Sequence, residues 1–562
     1  QPQIIFTNLG LAKHKDTNLV IGFFIPIINI STNISVWCKN PNNTTDQNNL
    51  NDTISIATSG CTMVLNGHYT VGNTFADFST INDALVALKT CGVSGPVVFE
   101  LLSGTYPGFI IDTTYLGTSL SNTITFTSAA GNADSVTIQS GSTALTLSKA
   151  QYMRFTYLTF NAQSGTKGIQ FTDTCNQIEI RNCIIKTNPT TTNNTHYSIY
   201  KGSNSFSLNN IKIIKNIIDG GYGSIYLLGG NSTASRGFDL IIDSNIISNT
   251  YRYGVYLQDY GHCSSISYNQ ITSRTNNAGS YFDAIYCYTY YDVDNITNNK
   301  IDATKSTTTT YANGIYCYYT NYYSNTSAIV QITNNEIVLR TNYDGITVYY
   351  CKASVLHNSI YITGNGNSDG VYIYVSTSYP VSLLNNNIVN LSSATSSTAL
   401  YVGSTSSTSA LTMDYNNYYS TQGTPCQLGS SFLTLSAWIT ALEQDHNSTN
   451  ILPTYINTAI DLRVNGSQLI CPKLSTISYD RYGIARKKLT NMGAYHTFTP
   501  LAYDITPLTI ISPEEDITNY VSVPVRITVF NRGDSVINSF DIHWSVNGVN
   551  QPVYHWSGTP IA

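Results

Sequence analysis

The stretches "DAIYCYTYYDVDNITNNKI" (283–301) and "NGIYCYYTNYYSNTSAIVQITNNEI" (313–337) open and close on the same phrases. A phrase of small residue, aliphatic and usually Tyr recurs as "GIQF" (168), "SIYK" (198), "SIYL" (224), "GVYL" (254), "AIYC" (284), "GIYC" (314), "GITV" (345), "GVYI" (370) and "ALYV" (399). A second phrase, built on Asn, recurs at Asn182, Asn216, Asn245, Asn269, Asn299, Asn335, Asn358, Asn386 and Asn416. A period of roughly 23–36 residues marks a solenoid, since one repeat cannot bury its own apolar face and must stack on the next.

Within a period the segments are short, β-branched and alternating, as in "NQIEIRNCII" (176–185), and are bounded by Asn, Gly and Ser. Two or three short strands per coil fit one rung of a right-handed parallel β-helix, an all-β fold in which rungs stack about 4.8 Å apart. The recurring Asn then forms a ladder at a turn. Alternation points Ile285, Ile315, Ile346, Val371 and Leu400 inward as one column, and Leu257, Cys287, Cys317, Val348 and Ile373 as the next. Cys287 and Cys317 become neighbours, where a disulfide and a pair of buried thiols both fit.

Open solenoid ends need covers. "STINDALVALKTCG" (79–92) predicts a capping helix at about 80–91, with Thr80 as N-cap, Asp83 three residues on and Gly92 as stop. At the far end "LTLSAWITALEQDHNS" (434–448) carries a second short helical pattern, and "YDRYGIARKKLTNMGAYH" (479–496) is expected to close the last coil. The solenoid therefore spans 67–500. Residues 1–66 and 501–562 lack the repeat and read as parts of β-sandwich modules, and the apolar run 19–28, broken by Pro26, is too short to span a bilayer. No leader precedes Gln1, as in a processed export product or a piece of a longer chain. Cys38 and Cys61 are a candidate bridge for an exported protein.

Only 10% of the 562 residues are charged and the net charge is −5, so the chain has no basic footprint for nucleic acid. Its surface must be built from Asn, Thr, Ser and the 43 tyrosines instead. If the aliphatic residue of each phrase points inward, the next points outward. Tyr200, Tyr226, Tyr256, Tyr286, Tyr316, Tyr372 and Tyr401 form a column interrupted by Thr347, with Tyr288, Tyr318, Tyr349 and Tyr374 beside it. Tyr286, Tyr288, Tyr316, Tyr318, Tyr349, Tyr372 and Tyr374 are the candidate ligand-binding set, because a rigid ring with a polar tip suits sugar faces. The same rings stabilise neighbouring strands without any ligand.

The residue before each small-aliphatic phrase is Asp283, Asn313, Asp344 and Asp369 on four consecutive rungs. Stacked carboxylates repel unless a cation or a proton relieves them. Asp283, Asp344 and Asp369 are thus metal candidates, with Ca2+ the cation such oxygens suit, and Arg274 or Arg340 is a candidate positive partner. Asp-Gly turn chemistry accounts for the same residues. The carboxylate, Gly-His-Gly and Arg-Ile-Lys signatures of β-helix hydrolases do not occur as a set. "GHC" (261–263) is the nearest fragment, so His262 reads as a loop residue, and Asp344, Asp369 and Arg340 are the catalytic set only if the chain is an enzyme. "NRGD" (531–534) reads as a hairpin turn.

The phrases at 68–106, "HYTVGNTFADFSTINDALVALKTCGVSGPVVFELLSGTY", and at 479–495 resemble the opening and closing signatures of β-helix domains in large secreted cell-surface adhesins of Bacteroidota. In that family the closing motif is Asp-x-Asp-Gly-x-x-Arg, of which Asp480, Gly483 and Arg486 match. The resemblance implies flanking CARDB or immunoglobulin-like modules, type IX export, an extracellular surface location and adjacent modules of a longer chain. The expectation is a non-enzymatic adhesin or stalk segment, without a resident cofactor or transmembrane segment, presenting tyrosines to surface polysaccharide or other glycans. A carbohydrate-active lyase or hydrolase and a purely structural spacer are the alternatives.

Overall fold

The computed structural model describes residues 21–22, 31–40, 44–45, 52–59, 64–230, 232, 234–275, 281–288, 292–305, 311–321, 328–457, 461–465, 467–499, 501–513 and 523–561. Three long sheets run its length, 14-, 12- and 13-stranded, and every pairing among their strands is parallel until the last pair of the third sheet. The result is an all-β, right-handed-type parallel β-solenoid of about 12 turns. One full turn reads Asn295–Thr297 in the first sheet, Lys300–Ala303 in the second and Tyr311–Tyr318 in the third.

Both predicted inward columns are present in register. Ile285, Ile315, Ile346, Val371 and Leu400 are successive partners, as are Leu257, Cys287, Cys317, Val348 and Ile373, and all are fully buried. Cys287 and Cys317 are free thiols filling core volume. The small residue opening each phrase also has a cause. At Gly314 and Gly345 a Cβ would lie 2.4 Å from the carbonyl oxygen of Gly345 and Gly370 respectively, so the backbone of the next rung leaves no room for bulk.

The Asn ladder occupies the two-residue turn between the first and second sheets. Asn269 donates from its backbone to Asn299 Oδ1, Asn299 to Asn335 and Asn335 to Asn358, each at 3.0 Å, and each amide nitrogen also reaches a carbonyl of the preceding rung. Asn182 is not a member. Cys183 holds that place, donating to Asn216 Oδ1 at 2.9 Å, while Asn182 sits one residue earlier with φ +53°. That earlier position is left-handed on each rung of the ladder, including Lys215, Ser244, Tyr268, Asn298, Asn334, His357 and Asn385, which favours Asn there.

Helix α1 (Ile81–Cys91) covers the first rung, with the Thr80–Asp83 capping box formed and Ile81, Ala84 and Leu88 buried in the solenoid core. Helix α2 (Leu435–Leu442) closes the other end by burying Trp438 completely, its indole donating to Asp445 at 3.0 Å. The ladder ends on this cap, Asn416 donating to Ser448 Oγ at 2.9 Å.

Residues 479–496 do not close the last coil. They fold back along the flank of earlier rungs, Ala494 donating to Ser359 Oγ at 2.9 Å and Gly493 to the Asn385 carbonyl at 2.7 Å. Asp480, Gly483 and Arg486 build that strap. Asp480 accepts the amides of Tyr482, Ile484 and His496, Gly483 has φ +79°, and buried Arg486 donates to Asn334 Oδ1 and the Gly493 carbonyl at 2.9 Å. Beneath the strap, fully buried Glu336 meets Lys300 at 2.8 Å, the Leu462 amide at 3.2 Å and the Tyr495 hydroxyl.

Outside the solenoid, antiparallel pairs join Ser31–Trp37 to Thr53–Ser59, Ile505–Ser512 to Arg526–Asn531 and Ile537–Ile542 to Tyr554–Ile561. Arg532-Gly533-Asp534 is therefore not a hairpin turn, because the strands on either side pair elsewhere. Its first two amides donate to the Asp504 carbonyl. Cys38 is a free, exposed thiol and Cys91 is disulfide-bonded, so the bridge expected between Cys38 and Cys61 is not formed; Cys61 itself lies outside the described residues. Most of the apolar run at 19–28 also lies outside them. Among the described residues no helix is long and apolar enough to cross a membrane.

Candidate functional site: a tyrosine face and a carboxyl column

The third sheet sets the outward tyrosines in line because its strands keep one register over many rungs. Tyr200, Tyr226, Tyr256, Tyr286 and Tyr316 are consecutive partners, followed by Thr347, Tyr372 and Tyr401. Their rings stack nearly coplanar, Tyr226 on Tyr256 at 4.6 Å and 4°, Tyr256 on Tyr286 at 5.2 Å and 11°, and Tyr286 on Tyr316 at 4.7 Å and 2°. Two residues along, Tyr288, Tyr318, Tyr349 and Tyr374 stack at 5.1, 4.8 and 4.9 Å. The two columns lie side by side, with 6.1 Å between Tyr316 and Tyr318.

All seven candidate ligand-binding tyrosines are thus in one half-buried surface. Within each column, rings pack face to face on a stacked neighbour, worth about 0.5–1.5 kcal/mol per pair beyond burial. That packing fixes the rings before anything binds. Burial raises the pKa of Tyr226 to about 12 and raises those of Tyr286, Tyr316 and Tyr372 further, so these phenols stay neutral hydrogen-bonding groups. A third short column that the alternation did not reveal, Tyr319 on Tyr350 at 5.5 Å, extends the face past the strand ends, where both residues take positive φ.

The carboxyl column exists, but its members have different neighbours. Asp283 is buried and accepts the Asn313 amide at 2.7 Å, with Arg252 Nε at 3.6 Å. Its partner is therefore Arg252, not Arg274, whose guanidinium donates to the Thr191 and Asn249 carbonyls instead. Asp344 accepts Thr347 Oγ1 at 2.9 Å and the Asp369 amide at 3.3 Å, and Asp369 accepts Thr398 Oγ1 at 2.6 Å. The bonds to the Asp369 amide and to Thr398 clamp rung to rung, whereas the Asp344–Thr347 bond stays local to its own rung.

Burial pushes the Asp344 carboxyl up to about 6; burial and the charge of Asp344 push Asp369 up to about 7. Arg340 ends a strand of the second sheet, Glu336–Arg340, where it is the register partner of Thr363 on the next rung. Protein donors reach at least one oxygen of each aspartate, and among the described residues no group of three His, Cys, Asp or Glu side chains is placed to hold a metal. With both carboxyls raised toward neutrality, Asp344 and Asp369 can each carry a proton near neutral pH. His262 is more than a loop residue, bridging Asp239 at 3.1 Å and Asp294 at 3.0 Å on neighbouring rungs of the first sheet.

No family model matches the chain, and no curated protein matches it. Among solved structures it is similar to the pectin methylesterase from Aspergillus niger in deglycosylated form, at 11% identity over 72% of this chain and 95% of that one, with a TM-score of 0.22. That neighbour is an enzyme by its name, so the expectation of a chain without enzymatic activity is not one the fold supports. At this identity and TM-score the likeness concerns the fold alone and brings no activity with it.

Proposed function

We propose that the protein is a segment of an exported surface protein, a β-solenoid stalk flanked by CARDB or immunoglobulin-like modules, whose tyrosine face engages glycans. The observation that carries this reading is the pair of in-register ring columns, ordered by their own stacking and edged with neutral hydroxyls. A preordered aromatic face binds at little entropic cost, since its rotamers are already fixed. The resemblance of the cap and strap phrases to Bacteroidota surface adhesins supports type IX export and an extracellular location.

The test is a glycan array probed with the purified chain and with a Tyr288→Ser, Tyr318→Ser, Tyr349→Ser variant. Loss of binding with the fold retained is expected. Unchanged binding sinks the tyrosine face, and an empty array for both proteins leaves the chain a spacer. A second reading, acid–base chemistry on polysaccharide at Asp344 and Asp369, is favoured by two adjacent carboxyls whose pKa values stand near neutrality. Shortening of polysaccharide that Asp344→Asn and Asp369→Asn each abolish is its required result.

A further inference from the structure

Beside the tyrosine face the rim of the third sheet carries a cleft of about 420 Å³, lined by Tyr222, Tyr251, Arg252 and Tyr281, with Asn193 and Asn194 on the overhanging loop. Neither the ring columns nor the Asp344–Asp369 pair uses it. Its wall is built rather than draped. Asn188 Oδ1 accepts the Thr190 amide at 2.9 Å, Asn193 Oδ1 accepts the Thr195 amide at 3.0 Å, and buried Arg274 ties the Thr191 carbonyl at 3.0 Å. Arg274 in turn lies 5.2 Å from the Tyr251 ring, so loop and floor are joined.

Arg252 is the charged group of the cleft. Its guanidinium carbon stands 4.6 Å from the Tyr281 ring and 5.1 Å from Tyr253, which fixes its plane. Burial works to lower its pKa, but Asp283 and Tyr253 more than offset that, so it remains a cation. Asp283 holds the Nε edge at 3.6 Å, an ion pair too long to be a hydrogen bond, and therefore orients the group without consuming its donors. An oriented guanidinium fork is suited to a carboxylate, whereas rings and planar amides around it suit a pyranose.

We propose that this cleft is a subsite for a carboxylate-bearing sugar, a uronate residue of the glycan that the tyrosine face engages. The proposal rests on that reading of the face and adds the chemical class of one sugar unit. Arg252 takes the carboxylate, the Tyr222 side chain lines the sugar, and Asn194 reaches hydroxyls.

The experiment is calorimetry with trigalacturonate, trimannuronate and their carboxyl-reduced counterparts against the wild-type chain, Arg252→Lys and Asn194→Ala. Arg252→Lys keeps a positive charge beside buried Asp283, so folding is preserved while the fork is lost. The wild type is expected to prefer at least one acid trisaccharide to its reduced form by about tenfold, Arg252→Lys to lose that preference, and Asn194→Ala to weaken both forms alike. Equal affinity of the wild type for acid and reduced sugars, or full preference retained in Arg252→Lys, overturns the proposal. A Tyr318→Ser, Tyr349→Ser variant separates the two readings. If longer neutral oligosaccharides bind through those tyrosines with no acid preference anywhere, only the subsite falls; if no oligosaccharide binds the wild type, both fall.

Discussion

Replacing Asn335 by alanine removes a fully buried side chain that makes four hydrogen bonds. Its Oδ1 accepts the backbone and side-chain amides of Asn299, both at 3.0 Å, and its Nδ2 donates to the Ile296 carbonyl at 2.8 Å and to Asn358 Oδ1 at 2.9 Å. Each such bond is worth about 1 kcal/mol net, and the Asn299 amide left buried and unpaired costs about 1–3 kcal/mol. The expected loss is about 5–7 kcal/mol. In a solenoid this loss stays close to the affected rungs, since each rung contacts only its neighbours. Native-state hydrogen exchange should therefore show amides of Lys300–Ala303 and Ser359–Thr363 exchanging faster by about 10² or more, with distant rungs near Phe155 unchanged. Asn82→Ala, on the exposed side of α1, is the control and should stay within about 0.5 kcal/mol. A loss for Asn335→Ala below about 1 kcal/mol, or exchange that rises equally everywhere, would refute the ladder as a source of stability.

Tyr268→Asn should stabilise by up to about 1 kcal/mol in thermal melts, because exposed Tyr268 is held at φ +56°, where a short polar residue is tolerated better. Asp344 and Asp369 have folded pKa values above the unfolded 3.8, so the native state binds protons more tightly than the unfolded one. Their contribution is fully present below about pH 4 and is lost as pH rises through about 6–7, at up to about 1.4 kcal/mol per pH unit per carboxyl. Urea titrations should show this slope in the wild type and a flatter one in Asp344→Asn. Of the nine free cysteines among the described residues, Cys38 alone is exposed, so a thiol reagent should label Cys38 in the native protein and spare buried Cys183, Cys263, Cys317 and Cys351; burial raises the thiol pKa of Cys183, Cys263 and Cys351, and the hydrogen bond with Cys287 together with burial raises that of Cys317.

The solenoid was legible because its period imposes one rule on every rung. Ile285 to Leu400 could be placed inward, and Tyr286 to Tyr374 outward, from alternation alone, and both placements hold. Asn182 was misread because "NC" and "KN" differ by one position, and only the φ pattern of the turn shows which residue joins the ladder. The strap at 479–496 was misplaced at the last coil, since its docking partners, Asn334, Ser359 and Asn385, belong to rungs more than a hundred residues earlier. Arg252 was invisible for a related reason. Its neighbours Tyr281 and Asp283 come from the next rung, and the loop at 188–195 occurs once, outside any repeat.

Regular and irregular parts of the chain therefore carry different kinds of information. A periodic column repeats one side chain at a fixed spacing, so it can engage only something extended and itself periodic, as a polysaccharide is. Such a face is tolerant of register, because a ligand shifted by one rung meets the same rings. Specificity has to come from places where the repeat is broken. Thr347 breaks the first ring column beside Asp344, and the loop at 188–195 breaks the rim beside Arg252. If the tyrosines supply affinity along the axis, these two interruptions are where one sugar can be told from another, and substitutions there should change selectivity more than overall binding.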